Sequence, residues 1–230
     1  MMRKINIGII GFGTIGSGVL KILQDNSDVI RKRLGTIVEV VKIADLDITS
    51  DRGVRVDPKL LTTQAEEIIK HSEVDVVVEL IGGYEPARSL MLQAVNEGKH
   101  VVTANKALLA KHGSEIFSAV ENQQLSIGFE AAVGGAIPII RGIRESFVAN
   151  KIYSIEGIVN GTANYILSKM SDEQCSFDLA LKEAQNKGFA EADPTFDIEG
   201  IDSAHKIAIL SQLAYGTPVK FDDITIQGIS

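Results

Sequence analysis

Cysteine, basic blocks and long apolar runs are scarce in this 230-residue sequence. Its single cysteine, Cys175, excludes an internal disulfide and is typical of a reducing compartment, so we expect a cytoplasmic protein. The formal net charge is −7 with no block of lysine and arginine, which argues against binding to nucleic acid or to an anionic membrane surface. No apolar run reaches the roughly 18 residues that a membrane-spanning helix needs.

Two kinds of pattern divide the chain. Hydrophobic residues make up 45 % and charged residues 23 %, as in ordinary soluble globular proteins. Up to about residue 130, strand-like apolar runs alternate with helical patterns, which predicts an α/β fold with a Rossmann-type doubly wound parallel sheet. Beyond that point the alternation ends. We therefore predict one domain at 1–133 and a second, α+β domain at 134–230.

A glycine-rich loop follows the first predicted strand. Residues 5–10 (INIGII) lead into GFGTIG, which has the form GxGxxG, and a helical pattern comes next. In a dinucleotide-binding turn, the first glycine permits the turn, the second lets the backbone approach a pyrophosphate and the third allows close packing of helix and strand. A glycine turn that binds no nucleotide is the alternative. The predicted cofactor contacts here are Gly11, Phe12, Gly13, Thr14, Ile15 and Gly16.

Asp45 ends the second predicted strand, at 37–44. An acidic residue at this place typically holds the ribose hydroxyls of the adenosine. Because its carboxylate would repel a 2′-phosphate, Asp45 slightly favours NAD over NADP, although Arg52 is near enough in sequence to complicate that preference. The alternative is a turn residue at the end of a strand.

Ligands of doubly wound sheets bind beyond the carboxyl ends of the strands. We predict strands at 74–81 and 100–104. The small and polar residues at or just after their carboxyl ends are expected at that edge of the sheet: Gly82, Gly83, Thr103, Asn105 and Lys106. Lys106 is a candidate contact to substrate or cofactor. A solvated lysine at the start of a helix is the competing interpretation.

The loop at 133–138 (VGGAIP) follows a strand predicted at 125–132 and offers main-chain carbonyls rather than side-chain donors. Carbonyl oxygens suit a hard cation, but on chemistry alone a plain glycine turn before a helix at 139–150 is favoured. Farther on, we predict further elements: a strand at 152–159, helices at 163–170, 177–187 and 202–215, and a strand-like end at 221–230. Thr162 is the predicted cap of the first of these helices.

The stretch at 188–206 (GFAEADPTFDIEGIDSAHK) holds five carboxylates and ends in a lysine. If a helix starts near Ile201, Asp202 and Lys206 project from one face of it, close enough to share a proton or a substrate. An exposed acidic turn followed by a helical ion pair is the alternative.

The segment at 184–206 resembles the signature of homoserine dehydrogenases, in which A-x3-G leads to E-x-D-P-x2-D-[aliphatic]-x-G-x-D-x3-K. The matching positions are Ala184, Gly188, Glu191, Asp193, Pro194, Asp197, Gly200, Asp202 and Lys206. Other stretches also resemble the family: GFGTIGSGV, ELIGG, GKHVVTANKALLA, FEAAVGGAIPII and NGTANYIL. The resemblance covers essentially the whole chain.

The resemblance implies a reversible hydride transfer between L-homoserine and L-aspartate 4-semialdehyde with NAD(P), in threonine, methionine and isoleucine biosynthesis. By position, Lys206 would be the catalytic acid/base, and Asp202 and Lys106 would assist it. Glu191 and Asp197 would hold the substrate ammonium group. An amino-acid substrate brings both charges, so carboxylates for its ammonium and lysines for its oxygens are chemically suitable.

The resemblance also implies a homodimer, a cofactor contact at Gly188 and a bound sodium or potassium ion. This implication replaces the interpretation of the loop at 133–138 as a plain glycine turn. The cation would be held, mostly through backbone carbonyls, by Glu130, Val133, Gly135 and Ile137. Relatives continue well beyond this motif, so we expect a truncated chain whose substrate-binding and dimerisation domain is incomplete. Many NADP-preferring relatives have a basic or neutral residue in place of Asp45, which leaves the choice of cofactor open.

Two other functions compete with that of a homoserine dehydrogenase. An aldehyde-oxidising dehydrogenase needs a cysteine nucleophile in the cleft, whereas Cys175 lies in the polar run SDEQCSFD. A dinucleotide-binding sensor, or an inactive fragment, would bind the cofactor without hydride transfer.

Overall fold

Residues 3–230 are described in a computed structural model of the protein, which falls into two compact units. Ala132 is the last residue of the first unit and Val133 is the first residue of the second. None of the helices in this described part of the chain has the length and apolar character required to cross a bilayer.

The described part of the first unit is built on a parallel sheet with the strand order β3-β2-β1-β4-β5-β6. Its strands are β1 (Lys4–Ile10), β2 (Ile37–Ala44), β3 (Leu61–Thr62), β4 (Val76–Glu79), β5 (His100–Thr103) and β6 (Ile127–Gly128). The chain builds outward from β1 to one edge and then crosses to β4 on the other side of β1. The predicted doubly wound α/β fold is thus confirmed, and the reversal places a crevice at the carboxyl ends of β1 and β4.

Helices cover this sheet. They are α1 (Thr14–Asp25), α2 (Ser27–Leu34), α3 (Ala65–Ile69), α4 (Ala87–Asn96) and α5 (Lys106–Asn122). The central strand β1 is apolar because it is covered on both faces, as parallel strands usually are. Its residue Ile9 is fully buried and belongs to a core cluster with Phe12, Leu20, Ile43 and Val78.

The second unit consists mainly of helices within its described residues. They are α6 (Ile139–Arg141), α7 (Gly161–Glu173), α8 (Phe177–Asn186), α9 (Thr195–Ile198) and α10 (Ile201–Tyr215). Ala180 and Ala184 lie one turn apart on α8 and are fully buried in a cluster with Ile166 of α7. Such small side chains let α7 and α8 approach closely.

The segment at 152–159, predicted as a strand, is irregular chain in the structure. Tyr153 and Ile158 are exposed, so the alternation of apolar and polar residues buries no continuous face. A strand needs a neighbour to pair with its backbone groups, and none is assigned within residues 133–230. The strand prediction is therefore wrong here. The strand-like end at 221–230 likewise forms only a 3-10 turn, Phe221–Asp223, and irregular chain.

Two elements next to the unit boundary are shorter than predicted. The strand expected at 125–132 is reduced to β6 and is followed by a 3-10 turn, Glu130–Ala132. The helix expected at 139–150 consists of α6 and a π-helical turn, Gly142–Ser146. Phe147 and Val148, which come next, are exposed and bury no apolar face that would support a longer helix.

Candidate active site

The glycine loop joins β1 to α1 at the carboxyl end of β1. Gly11 has φ +101°, and a Cβ atom there would lie 2.7 Å from the backbone carbon of Leu80, just after β4. A Cβ atom on Gly16 would overlap the carbonyl oxygen of Gly11. Gly13 differs from both, because it has φ −70° and, among residues 3–230 other than its chain neighbours, no atom lies within 4 Å of the place of a Cβ atom. The fold thus requires Gly11 and Gly16, whereas the absence of a side chain at Gly13 leaves the loop open to a ligand.

The N-terminus of α1 suits an anion. Gly13 is its N-cap, no side chain caps it and its first turn carries no acidic residue. Thr14 and Ile15 are exposed at this end of the helix. Uncapped backbone N–H groups and an open glycine backbone are the features that a dinucleotide pyrophosphate needs. The loop therefore fits the predicted cofactor.

Asp45 connects this loop to the end of β2. Its Oδ2 accepts a hydrogen bond from the backbone N–H of Phe12 at 2.5 Å, and its Oδ1 accepts one from that of Asp47 at 2.9 Å. Because the Phe12 side chain lies in the core, Phe12 presents only backbone to the loop. Arg52 lies 3.8 Å from Oδ1 of Asp45 and 3.1 Å from Oδ2 of Asp47. A cation that complicates the choice between NAD and NADP thus lies beside Asp45.

The position of Arg52 depends on a tight turn around Asp47. Hydrogen bonds from Ser50 and Thr49 to the Asp47 carboxylate hold the pKa of Asp47 well below its usual range. The carboxylate therefore stays charged and pairs with the guanidinium of Arg52.

A cavity of about 340 Å³ lies at the carboxyl ends of the strands. Asp45 is at its polar side, and Leu46, Ile81, Pro86 and Leu90 provide apolar walls. Mostly apolar walls with a few polar groups are usual for sites that bind flat heterocyclic ligands. The cavity therefore suits the adenine of a dinucleotide whose ribose is held by Asp45.

Glu79, the last residue of β4, was missed by sequence reasoning. Its side chain is buried, and its Oε1 accepts hydrogen bonds from the backbone N–H groups of Ile81 at 2.9 Å and Gly82 at 3.3 Å. Its Oε2 accepts one from Oγ1 of Thr103 at 2.6 Å. An acid inside an otherwise apolar strand was the available signal, because such a carboxylate must find donors.

The Glu79 network continues to the start of α5. Oγ1 of Thr103 accepts from the backbone N–H of Asn105 at 3.0 Å, and Nδ2 of Asn105 donates to the carbonyl of Gly83 at 2.6 Å. The Oδ1 atom of Asn105 caps α5, whose first residue is Lys106. The structure thus brings the predicted edge residues of the first unit together, and their binding roles stay predictions.

In the second unit, α10 carries the predicted acid–lysine pair. Gly200, with φ +78°, is the N-cap of α10, in agreement with the predicted start. Nζ of Lys206 lies 2.7 Å from Oδ2 of Asp202 and also donates to the carbonyl oxygen of Val159 at 2.5 Å. The side chains of Asp202 and Lys206 are only 8 % and 18 % exposed. This pair is therefore shielded, unlike an ordinary surface ion pair.

Asn160 connects this pair to a second carboxylate. Its Nδ2 donates to Oδ1 of Asp197 at 2.7 Å and to Oδ2 of Asp202 at 2.8 Å. Its Oδ1 accepts from the backbone N–H of Ala163 at 2.7 Å and so caps α7. The predicted cap, Thr162, is therefore wrong: its hydroxyl lies inside the first turn and donates to the carbonyl of Phe189 instead.

The other predicted residues of this stretch lie apart from the Asn160 network. Glu191 is exposed in the loop between α8 and α9. Asp193 orders the turn before α9, because its Oδ1 accepts from both the N–H and the hydroxyl of Thr195, which also lowers the pKa of Asp193. Gly188, with φ +74°, follows the end of α8, and this left-handed conformation is a structural reason for glycine. Its cofactor role stays a prediction.

The residues of the predicted cation site belong to two successive parts of the chain. Glu130 lies in the 3-10 turn that ends the first unit, and the other three residues, Val133, Gly135 and Ile137, lie in the loop that begins the second. Within residues 3–230, no cluster of three or more His, Cys, Asp or Glu side chains could hold a metal ion. That finding does not concern carbonyl ligands, so the cation site stays a prediction.

Two family models match the chain. The model for the NAD binding domain of homoserine dehydrogenase matches residues 11–130, and the homoserine dehydrogenase model matches residues 138–230. Homoserine dehydrogenase of Neisseria gonorrhoeae is 47 % identical over 230 residues, which are 100 % of this chain and 52 % of the relative. The chain thus spans about half the length of the curated relatives it matches.

Solved structures agree with these matches. A homoserine dehydrogenase from Thiobacillus denitrificans superposes with a TM-score of 0.91 at 50 % identity, covering 100 % of this chain and 53 % of that one. A hyperthermophilic archaeal homoserine dehydrogenase in complex with NADPH superposes with a TM-score of 0.80 at 28 % identity, covering 97 % and 75 %.

Proposed function

This chain belongs to the homoserine dehydrogenase family, and we propose that it forms the cofactor-binding and catalytic part of an enzyme that interconverts L-homoserine and L-aspartate 4-semialdehyde. The observation that carries this proposal is the shielded network of Lys206, Asp202, Asn160 and Asp197 in the second unit. It offers a proton carrier and an ammonium-binding carboxylate, which are two of the groups that a hydroxy amino acid substrate requires.

The first unit would hold NAD(P). Gly11 to Gly16 and the N-terminus of α1 would bind the pyrophosphate, Asp45 the ribose, and the cavity beside Leu46 the adenine. NAD(P) would supply a hydride acceptor, its nicotinamide ring, for the carbon that bears the hydroxyl group. Asp45 favours NAD, but the neighbouring Arg52 and the NADPH bound to the archaeal relative support the use of NADP as well.

Lys206 would exchange a proton with the reacting oxygen of the substrate. It would accept the hydroxyl proton as the alcohol is oxidised and return it in the reverse direction. Asp202 and the carbonyl of Val159 would hold its Nζ in place. Asp197 and Glu191 would bind the substrate ammonium, and Lys106 would assist, as the resemblance to the family implies.

We propose further properties from the resemblance to the family and, for the cellular location, from the scarcity of cysteine. We propose a sodium or potassium ion held by Glu130, Val133, Gly135 and Ile137, mostly through their carbonyl oxygens. We also propose a homodimer in the cytoplasm that takes part in threonine, methionine and isoleucine biosynthesis.

An activity assay tests the main proposal. The intact protein is supplied with L-homoserine and either NAD+ or NADP+, and the absorbance of the reduced coenzyme is followed. Coenzyme binding is measured separately by calorimetry. We expect reduction with at least one coenzyme, and the ratio of the two efficiencies reports the preference.

If the folded protein binds the coenzyme but never reduces it, the proposed dehydrogenase activity is refuted and a dinucleotide-binding sensor is favoured. The aldehyde-oxidising alternative finds no support in the surroundings of Cys175. This cysteine is half-buried against the cluster formed by α7 and α8, and its thiol faces the carbonyl of Lys169 at 3.7 Å.

A further inference from the structure

Asn160 contacts both carboxylates of the second-unit network, although the family signature assigns it no role. It is buried, with 7 % of its surface exposed. Both hydrogens of its amide nitrogen are used, one by Asp197 and one by Asp202, and its amide oxygen accepts from the backbone of Ala163. The last bond defines which way the amide faces, since only the oxygen can accept an N–H group.

Asparagine is chemically suited to this position. Two carboxylates that accept hydrogen bonds from one nitrogen lie close together and would repel each other without a donor between them. Among short side chains, only an amide places two hydrogens on one nitrogen without adding a charge. Hydrogen bonds to ionised carboxylates are short and strong, so they fix the direction in which the oxygens of Asp197 and Asp202 point.

Residues 159 and 160 together hold both members of the ion pair on α10. The carbonyl of Val159 accepts from Nζ of Lys206, and the amide of Asn160 donates to Oδ2 of Asp202. The same Oδ2 atom also accepts from Lys206. A change in the direction of the Asp202 carboxylate would therefore move the ammonium group of Lys206.

We propose that Asn160 is a positioning residue that orients Asp197 and Asp202 and thereby couples binding of the substrate ammonium to proton transfer at Lys206. The coupling of ammonium binding to proton transfer rests on the proposed function. The orientation of the two carboxylates does not, which allows the two ideas to be tested apart.

The Asn160→Ser variant separates positioning from helix capping. Serine caps helices about as well as asparagine, so α7 keeps its cap, but one hydroxyl hydrogen cannot bridge two carboxylates. We expect a protein that still folds with a lower melting temperature, because the two carboxylates lose a donor. Coenzyme affinity should be unchanged, and kcat/KM for L-homoserine should fall by about 10- to 100-fold. KM should rise because Asp197 is misplaced, and kcat should fall because Asp202 and Lys206 are misplaced.

Ser176→Ala is the matched control. Oγ of Ser176 accepts from the backbone N–H of Leu179 and caps α8 in the same unit. Its loss should lower the melting temperature and leave kcat and KM unchanged. Wild-type kinetic constants in folded Asn160→Ser would overturn the inference, as would a kinetic loss that Ser176→Ala reproduces.

Two further experiments keep the inference testable. Asn160→Asp retains the shape of the side chain and the cap of α7 but replaces the bridging donor with an acceptor. It should show the same loss of kcat/KM, and wild-type kinetic constants would overturn the inference here as well. If the unmodified protein oxidises no homoserine, the proposed function fails, but a crystal structure of Asn160→Ser still decides the positioning role. We expect the carboxylates of Asp197 and Asp202 to turn apart, and unchanged carboxylates would overturn it.

Discussion

The Nζ atom of Lys206 lies 2.7 Å from Oδ2 of Asp202, one turn earlier on α10, and 2.5 Å from the carbonyl oxygen of Val159. An ammonium group has three donors, and these two bonds use two of them. A third donor is what Lys206 needs to give a proton to the reacting oxygen of the substrate, in the role that we propose for it.

Replacing Lys206 with alanine should lower turnover strongly and preserve coenzyme binding. General acid–base catalysis contributes about 10²- to 10⁴-fold, so kcat should fall by that order. Coenzyme affinity should not change, because Lys206 is not among the residues that we propose to hold the coenzyme. Steady-state kinetics and calorimetry measure the two effects. Lys182→Ala, at an exposed position of α8, is the control, and unchanged turnover of Lys206→Ala would refute the catalytic role.

Gly13 and Gly18 form a matched pair that tests the coenzyme loop. Among the described residues, apart from the chain neighbours and the backbone of the same helix, no atom lies within 4 Å of the place of a Cβ atom at either residue. Gly13→Ala should fold normally and weaken coenzyme binding by about 10-fold or more, because the methyl group would occupy the approach to the pyrophosphate. Gly18→Ala, inside α1, should bind normally and stabilise the protein by about 0.5–1 kcal/mol. Equal coenzyme affinities of the two variants would argue against a pyrophosphate at Gly13.

Replacing Asp45 with asparagine should raise the efficiency with NADP relative to that with NAD. The substitution removes the charge that repels a 2′-phosphate and leaves Arg52 in place beside it. Kinetics with both coenzymes measure the ratio. Asp75→Asn is the control, because its Oδ2 also accepts from a backbone N–H, that of Asn6, at the amino end of β4. A fall in the ratio for Asp45→Asn would contradict the ribose role.

The buried bond between Glu79 and Thr103 should be visible in a double-mutant cycle. Glu79→Gln and Thr103→Val should each lower the free energy of unfolding by about 1–3 kcal/mol, since each leaves buried polar groups without partners. Because the two residues share one hydrogen bond, the double variant should lose less than the sum, by about 0.5–3 kcal/mol. Urea denaturation measures all four proteins. Additive losses would show that the bond contributes no coupling.

Glu183 should make the stability of the second unit depend on acid pH. Lys169, Lys187 and Tyr165 donate to its carboxylate and lower the pKa of Glu183 from 4.5 to about 2. The folded state therefore binds this proton less readily than the unfolded state. The stabilisation is present above about pH 4.5 and is lost as the pH falls towards 2.

Denaturation curves across this pH range test the effect. Glu183→Gln should be less stable than the unmodified protein near neutral pH, and the difference should shrink in acid. Glu121→Gln, at an exposed position of α5, is the control. A difference that stays constant with pH would contradict the assignment.

Local patterns in the sequence predicted much of the fold and part of the site. The apolar run before the glycine loop predicted β1 and α1, and the run at 37–44 predicted β2. The spacing of Asp202 and Lys206 predicted their contact, because residues four apart face the same side of a helix. These features depend on neighbours along the chain, so the sequence determined them by itself.

Packing in three dimensions determines which groups from distant parts of the chain meet. The amide of Asn160 lies 37 and 42 positions from the carboxylates it bridges, and Glu79 lies 24 positions from Thr103. The strand predicted at 152–159 did not form for the same reason, since a strand depends on a partner that its own residues cannot specify. Periodicity reports which face of an element is buried, whereas the partner of a buried polar group is set by packing.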